Sequence, residues 1–132
     1  MQLWQSSLVA GVGSVLANLL LLFALRPFTG VSDTFMTLAP GPVIMWSVLG
    51  AVGATITFAL LRRFSRKPRR NFTLTALIVL VLSFIPDVLI HGATSAVFVG
   101  ATWRAVLLLM LMHIVEAFII LWIFLKRTAP AR

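Results

Sequence analysis

The chain has no cysteine and no tyrosine, and only three of its 132 residues are acidic. Without thiols it forms no disulfide and no thiolate metal site, and thiol redox chemistry is excluded. The acids are Asp33, Asp87 and Glu116, and the histidines are only His91 and His113. Serines and histidines form no recognisable triad, and one central acid with one histidine is thin material for hydrolysis. Gly11-x-Gly13 follows no strand and lies inside an apolar run, so it is no nucleotide loop. Polar residues in general are scarce, with 61% of the chain hydrophobic. A soluble domain of this length needs far more polar surface to stay dispersed.

Long apolar runs fill the space left by these absences. Four of them, Leu8–Leu25, Val43–Leu61, Phe72–Ile90 and Ala105–Leu125, cover most of the sequence. Each has roughly the 17–25 residues that a hydrocarbon core of about 30 Å requires of a helix. They predict an all-α, antiparallel four-helix transmembrane bundle forming a single domain over residues 1–132, with no room for a separate extramembrane domain. The first run is preceded by no Lys or Arg and is long for a signal-peptide core, so it is expected to remain as the first helix.

The net charge is +8, and its placement is informative. Arg62, Arg63, Arg66, Lys67, Arg69 and Arg70 crowd into one short turn, and Lys126, Arg127 and Arg132 follow the last run. Placing these on one side leaves only Arg26 and Arg104 on the other, which predicts that both termini are cytoplasmic. This clustering argues for a membrane and against nucleic acid as the partner. Trp4 and Trp122 fall at the inner ends of the runs, and Trp46 and Trp103 at the outer ends, as an aromatic belt requires. The basic turn sets topology and is also suited to anionic lipid headgroups, at roughly 1 kcal/mol per residue near the surface.

Pro27, Gly30, Pro40, Gly41 and Pro42 punctuate the first outer loop, where Ser32–Leu38 is expected to lie on the membrane surface as one or two helical turns. Pro68 separates the second helix from the third, and Pro86 is expected to kink the third near its outer end. The conformation of the 91–103 loop is left open. No internal repeat supports an inverted-repeat transporter. Small residues spaced as Gly13–Ala17 and Gly50–Ala54 suit close packing of the first two helices as a hairpin.

Inside a bilayer, ionisable side chains are costly, so their positions mark sites. Counting about 1.5 Å per residue from the inner ends places Asn18, Ser83, His113 and Glu116 all roughly 14–18 Å deep, near the midplane. His113 and Glu116 are three apart and share a helix face. Two readings stand side by side. In one, the four residues hydrogen-bond across the bundle and fix helix register. In the other, they line a small ligand or proton site in which Glu116 and His113 exchange protons or hold a cation or polar ligand. A metal centre is not expected, since His-x-x-Glu supplies two ligands and no other acid or histidine lies at that depth. Asp87 and His91, four apart, are expected to meet Arg104 at the outer rim.

Several segments together resemble a known family. Ala17-Asn18-Leu19, the turn from Leu60 through Arg62-Arg63-Phe64 and Pro68-Arg69-Arg70-Asn71 to Phe72, Leu82-Ser83-Phe84-Ile85-Pro86-Asp87, and Met112-His113 are similar to a family of small bacterial four-helix membrane proteins, number 6069 among the domains of unknown function. The likeness spans essentially the whole chain. It implies a bacterial inner membrane protein with no assigned activity. Asn18, Ser83 and His113 match positions typical of that family, whereas Glu116 departs from a position usually small and apolar there.

The sequence therefore predicts a non-enzymatic inner membrane bundle, without cofactor, whose polar layer orders the helices and accepts a small ligand or a partner helix. The alternative is a small proton-coupled transporter using Glu116 and His113. Partners expected are the bilayer and its anionic headgroups, with a second copy or another membrane protein left open.

Overall fold

In the computed structural model, which describes residues 2–93, 95, 96 and 98–127, four long helices carry the chain. They are α1 (Leu3–Leu25), α2 (Pro40–Phe64), α3 (Pro68–His91) and α4 (Trp103–Arg127). All four are long and apolar enough to cross a membrane. Arg132 and two residues of the 91–103 loop, Thr94 and Val97, lie outside the described residues.

Each boundary has a local cause. α1 begins five residues before the apolar run because Gln2 and Gln5 close its first turn, the Gln2 backbone N–H donating to Gln5 Oε1 at 3.0 Å. α2 and α3 each start on a proline, which has no N–H to leave unpaired in a first turn. Pro68 and the Ser65 hydroxyl, which accepts from Asn71 Nδ2 at 2.8 Å and from the Lys67 N–H at 3.2 Å, hold the basic turn tight. α3 continues through Pro86 to His91 as one helix.

α1 packs mainly on α2 and α4, and α3 on α4 and α2, so α1 and α3 stand at opposite corners. Small side chains permit the close α1–α2 contact. The buried stripe of α1 is Ser6, Ala10, Ser14, Asn18 and Leu22, one residue every fourth position. It meets Val43, Ser47, Ala51 and Phe58 of α2. The two glycines predicted for this seam, Gly13 and Gly50, face α4 instead, and Gly11 is the one that faces α2. A Cβ on Gly11 would lie 3.6 Å from Ala51, whereas one on Gly13 would meet Ile119 of α4 and one on Gly50 would overlap Glu116. The seam of α2 with α1 is thus made by Ser47 and Ala51, three positions before the expected Gly50–Ala54 pair. Thr55 adds a polar tie, its hydroxyl lying 2.7 Å from both Ser7 Oγ and the Ala51 carbonyl. Each contact has its own proton when Thr55 donates to the carbonyl and accepts from Ser7.

Two apolar clusters fill the bundle. One, at the end bearing the basic turn, is built on Phe58, Phe72 and Phe124, with ring centroids 4.9–5.6 Å apart, together with Ala10, Ile120 and Ile123. The other, at the opposite end, joins Leu22, Val43, Leu109 and Met112 to Phe35 and Leu38 from the α1–α2 loop. Phe35 and Leu38 are almost wholly buried. Phe35 and Leu38 thus plug this end of the bundle, while Ser32, Asp33, Thr34 and Met36 of the same segment stay exposed. Two short 3-10 turns, Arg26–Phe28 and Met36–Leu38, shape the loop, and Gly30 supplies its left-handed residue at φ +73°.

Candidate functional site

Between the two apolar clusters lies a layer of polar side chains centred on Asn18. Its amide Nδ2 donates to Ser47 Oγ at 2.9 Å and to Glu116 Oε2 at 3.2 Å. One side chain of α1 thereby touches α2 and α4 at once. Asn18 and Ser47 are buried, with 3% and 1% of their surface exposed. Gly50 belongs to the same centre: its missing Cβ is the space the Glu116 carboxylate occupies. Three oxygens here are buried without a protein partner, namely Asn18 Oδ1, Glu116 Oε1 and the hydroxyl of Ser14, one turn before Asn18 on the buried stripe.

His113 faces the other way. Its Nδ1 lies 3.0 Å from the Leu109 carbonyl of its own helix and 3.0 Å from Asp87 Oδ2 on α3. Only the Leu109 contact has hydrogen-bond geometry; the Asp87 contact is an ion pair when the ring is protonated. The Asp87 carboxylate is almost wholly buried and the imidazole about one third exposed. No hydrogen bond or ion pair joins His113 to Glu116 among the described residues. Three residues apart, they flank α4, Glu116 toward α1 and α2 and His113 toward α3.

The expected sets are thus regrouped. Asn18 and Glu116 come together as the depth count implies, and His113 stands beside them without touching. Ser83 stays outside the layer: its hydroxyl donates at 2.7 Å to the Leu80 carbonyl of its own helix. A mid-helix serine can satisfy itself in this way, whereas a buried carboxylate such as Asp87 cannot and must find a partner elsewhere. Counting depth from the start of the apolar run also misjudged register by one turn of α3, about 6 Å, the separation of Ser83 from Asp87.

The outer rim differs in the same way. Asp87 turns inward, His91 stacks on Trp103 with ring centroids 4.2 Å apart, and Arg104 donates to the Phe28 carbonyl at 3.5 Å. The ion pair at that end joins Arg26 to Asp33 at 3.3 Å across the first loop. Thr102 bonds the Thr29 carbonyl, fastening the second loop to the first.

In the basic turn, Arg62 and Arg63 close α2, and Arg69 and Arg70 open α3. Cations at a helix C-terminus complement the helix dipole, but at an N-terminus they oppose it. Ser14, Ser47 and Gly50 are the residues of the central layer that polarity and depth did not single out. Their signal was the four-residue spacing of Ser14 to Asn18 and the small-residue stripe of α2. Among the described residues no three His, Asp or Glu side chains cluster as a metal centre.

A family model described as Family of unknown function (DUF6069) matches residues 1–130. No curated protein and no solved structure matches the chain.

Proposed function

We propose, from the premise that the chain belongs to this family of unknown function, that it is a non-enzymatic, multi-pass protein of the bacterial cytoplasmic membrane whose central polar layer orders the bundle. The observation that carries this reading is the Asn18 amide, which spends both its N–H groups on two other helices. In a membrane, apolar surfaces give helices little reason to prefer each other over lipid, so register must come from packing and cross-helix hydrogen bonds. Such bonds contribute about 0.6–2 kcal/mol each. Asn18 supplies two, joining α1 to both α2 and α4.

In this reading the helices alternate in direction. The pairs Asn18–Ser47 and Ser7–Thr55 support that order, since one residue number rises as the other falls. Both termini and the Arg62–Arg70 turn are placed in the cytoplasm by the positive-inside bias. There the turn meets anionic headgroups, a role consistent with Arg69 and Arg70 opposing the helix dipole. The proton-coupled alternative is weaker, because it asks Glu116 and His113 to act together and they face different helices.

The test is the unfolding temperature of Asn18→Leu in detergent, with Leu20→Ala as the control. Leu20 is 72% exposed on the bundle surface. Asn18→Leu is expected to fall by several degrees and the control to stay near the parent. An Asn18→Leu protein as stable as the parent overturns the proposal.

A further inference from the structure

The polar layer leaves three buried oxygens without a protein partner. Both N–H groups of Asn18 are committed, to Ser47 and Glu116, while Asn18 Oδ1, Glu116 Oε1 and Ser14 Oγ have no protein partner. Buried oxygens in this position need a proton donor or a cation. The charges are uneven too. The membrane-embedded part of the layer contains two carboxylates, Glu116 and Asp87, and one imidazole, His113. His113 makes its direct contact with Asp87, so its single charge, when protonated, is shared between two carboxylates. No Lys or Arg reaches Glu116 among the described residues. When Glu116 is ionised, no cationic side chain is in contact with it among the described residues.

We propose that this centre binds one small monovalent metal cation, held by the Glu116 carboxylate with the Asn18 carbonyl and Ser14 hydroxyl as further oxygen ligands. The donor set is all oxygen, which suits hard cations. A single available carboxylate matches a single charge, and the absence of a three-acid or histidine cluster among the described residues leaves a divalent ion without its usual complement. Asn18 provides the exchange. A half-turn of its amide swaps Nδ2 for Oδ1 opposite Ser47 and Glu116, so the same side chain donates to the carboxylate without the ion and coordinates alongside it with the ion. Gly50 leaves the carboxylate room beside α2, which a Cβ would take away.

This inference rests on the layer being the ordered centre of the bundle, yet it fails separately. The experiment uses the full chain, purified in detergent, with sodium replaced stepwise by N-methylglucamine at constant chloride. Sodium is expected to raise the unfolding temperature of the parent saturably, by roughly 5 °C at full occupancy. The rise should vanish in Glu116→Gln and shrink in Ser14→Ala. Should Glu116→Gln not fold, equilibrium binding of radioactive sodium to the parent decides: one ion per chain supports the site, and none overturns it. An unfolding temperature that responds to acid but to no alkali cation means that a proton sits on Glu116, and also overturns it. If Asn18→Leu is destabilised while sodium has no effect, the ordering role stands and the cation site falls.

Discussion

Replacing Gly50 by alanine sets two effects of known size against each other. In an isolated helix the change is favourable, by about 0.5–1 kcal/mol, because glycine loses more backbone freedom. Here the new methyl would overlap Glu116 Oε1. The carboxylate is the end of a flexible side chain, so it can swing aside at little steric cost. What it loses by moving is the Asn18 hydrogen bond, about 0.6–2 kcal/mol in a membrane. The displaced carboxylate and the freed amide then add part of the roughly 1–3 kcal/mol that a buried unpaired polar group costs. The balance predicts that Gly50→Ala is destabilising by about 1–2 kcal/mol. Gly53→Ala, where nothing lies within 4 Å of the added Cβ, should be neutral or stabilising. The assay is reversible unfolding in mixed micelles, run for both variants and for Gly50→Ala combined with Glu116→Ala. Removing the carboxylate should abolish the penalty, so alanine at position 50 becomes neutral or favourable in that background. A Gly50→Ala protein at least as stable as Gly53→Ala, with no coupling to position 116, refutes the placement of Glu116.

Other perturbations probe other parts of the bundle. His113→Ala strands the buried Asp87 carboxylate and should destabilise the protein by about 3 kcal/mol, with Asp87→Asn recovering part of the loss in the same unfolding assay. Phe72→Ala opens a hole between Phe58 and Phe124; because the surrounding lipid is itself apolar, the expected cost is about 2 kcal/mol, below the value for a soluble core. Phe35→Ala should loosen the loop plug, making a backbone cleavage site engineered at Ser32 more sensitive to protease than in the parent. Asp33→Ala removes an exposed ion pair and should leave the unfolding temperature unchanged.

Much of the fold is written in the length and composition of the apolar runs. The four spans, the proline starts of α2 and α3, and the tight basic turn between them all follow from local chemistry. α1 extends past its apolar run because capping by Gln2 and Gln5 is a polar signal that hydropathy does not register. The loop plug was less legible. Phe35 and Leu38 are separated by only two residues in a proline- and glycine-bounded segment, and nothing local distinguishes insertion between helices from burial in an interface. In the candidate site, Asn18 and Glu116 were marked by being polar at the midplane, but depth carries no direction. Whether Ser83 turns to its own helix, or His113 toward α3, depends on how α3 and α4 are rotated and shifted against each other. That is decided by packing at Phe72, Phe124 and their neighbours. Ser47 and Gly50 were visible only as members of a small-residue stripe, and their role depends on what the facing helix presents.

The central claim is that Asn18 and Glu116 interact across the α1–α4 interface and thereby order the bundle. The measurement that bears on it most directly is a double-mutant cycle of Asn18→Ala and Glu116→Ala, read by unfolding free energy in bicelles. A hydrogen bond of this kind predicts a coupling of about 0.6–2 kcal/mol, with the double mutant losing less stability than the two single mutants together. Strictly additive losses would contradict it.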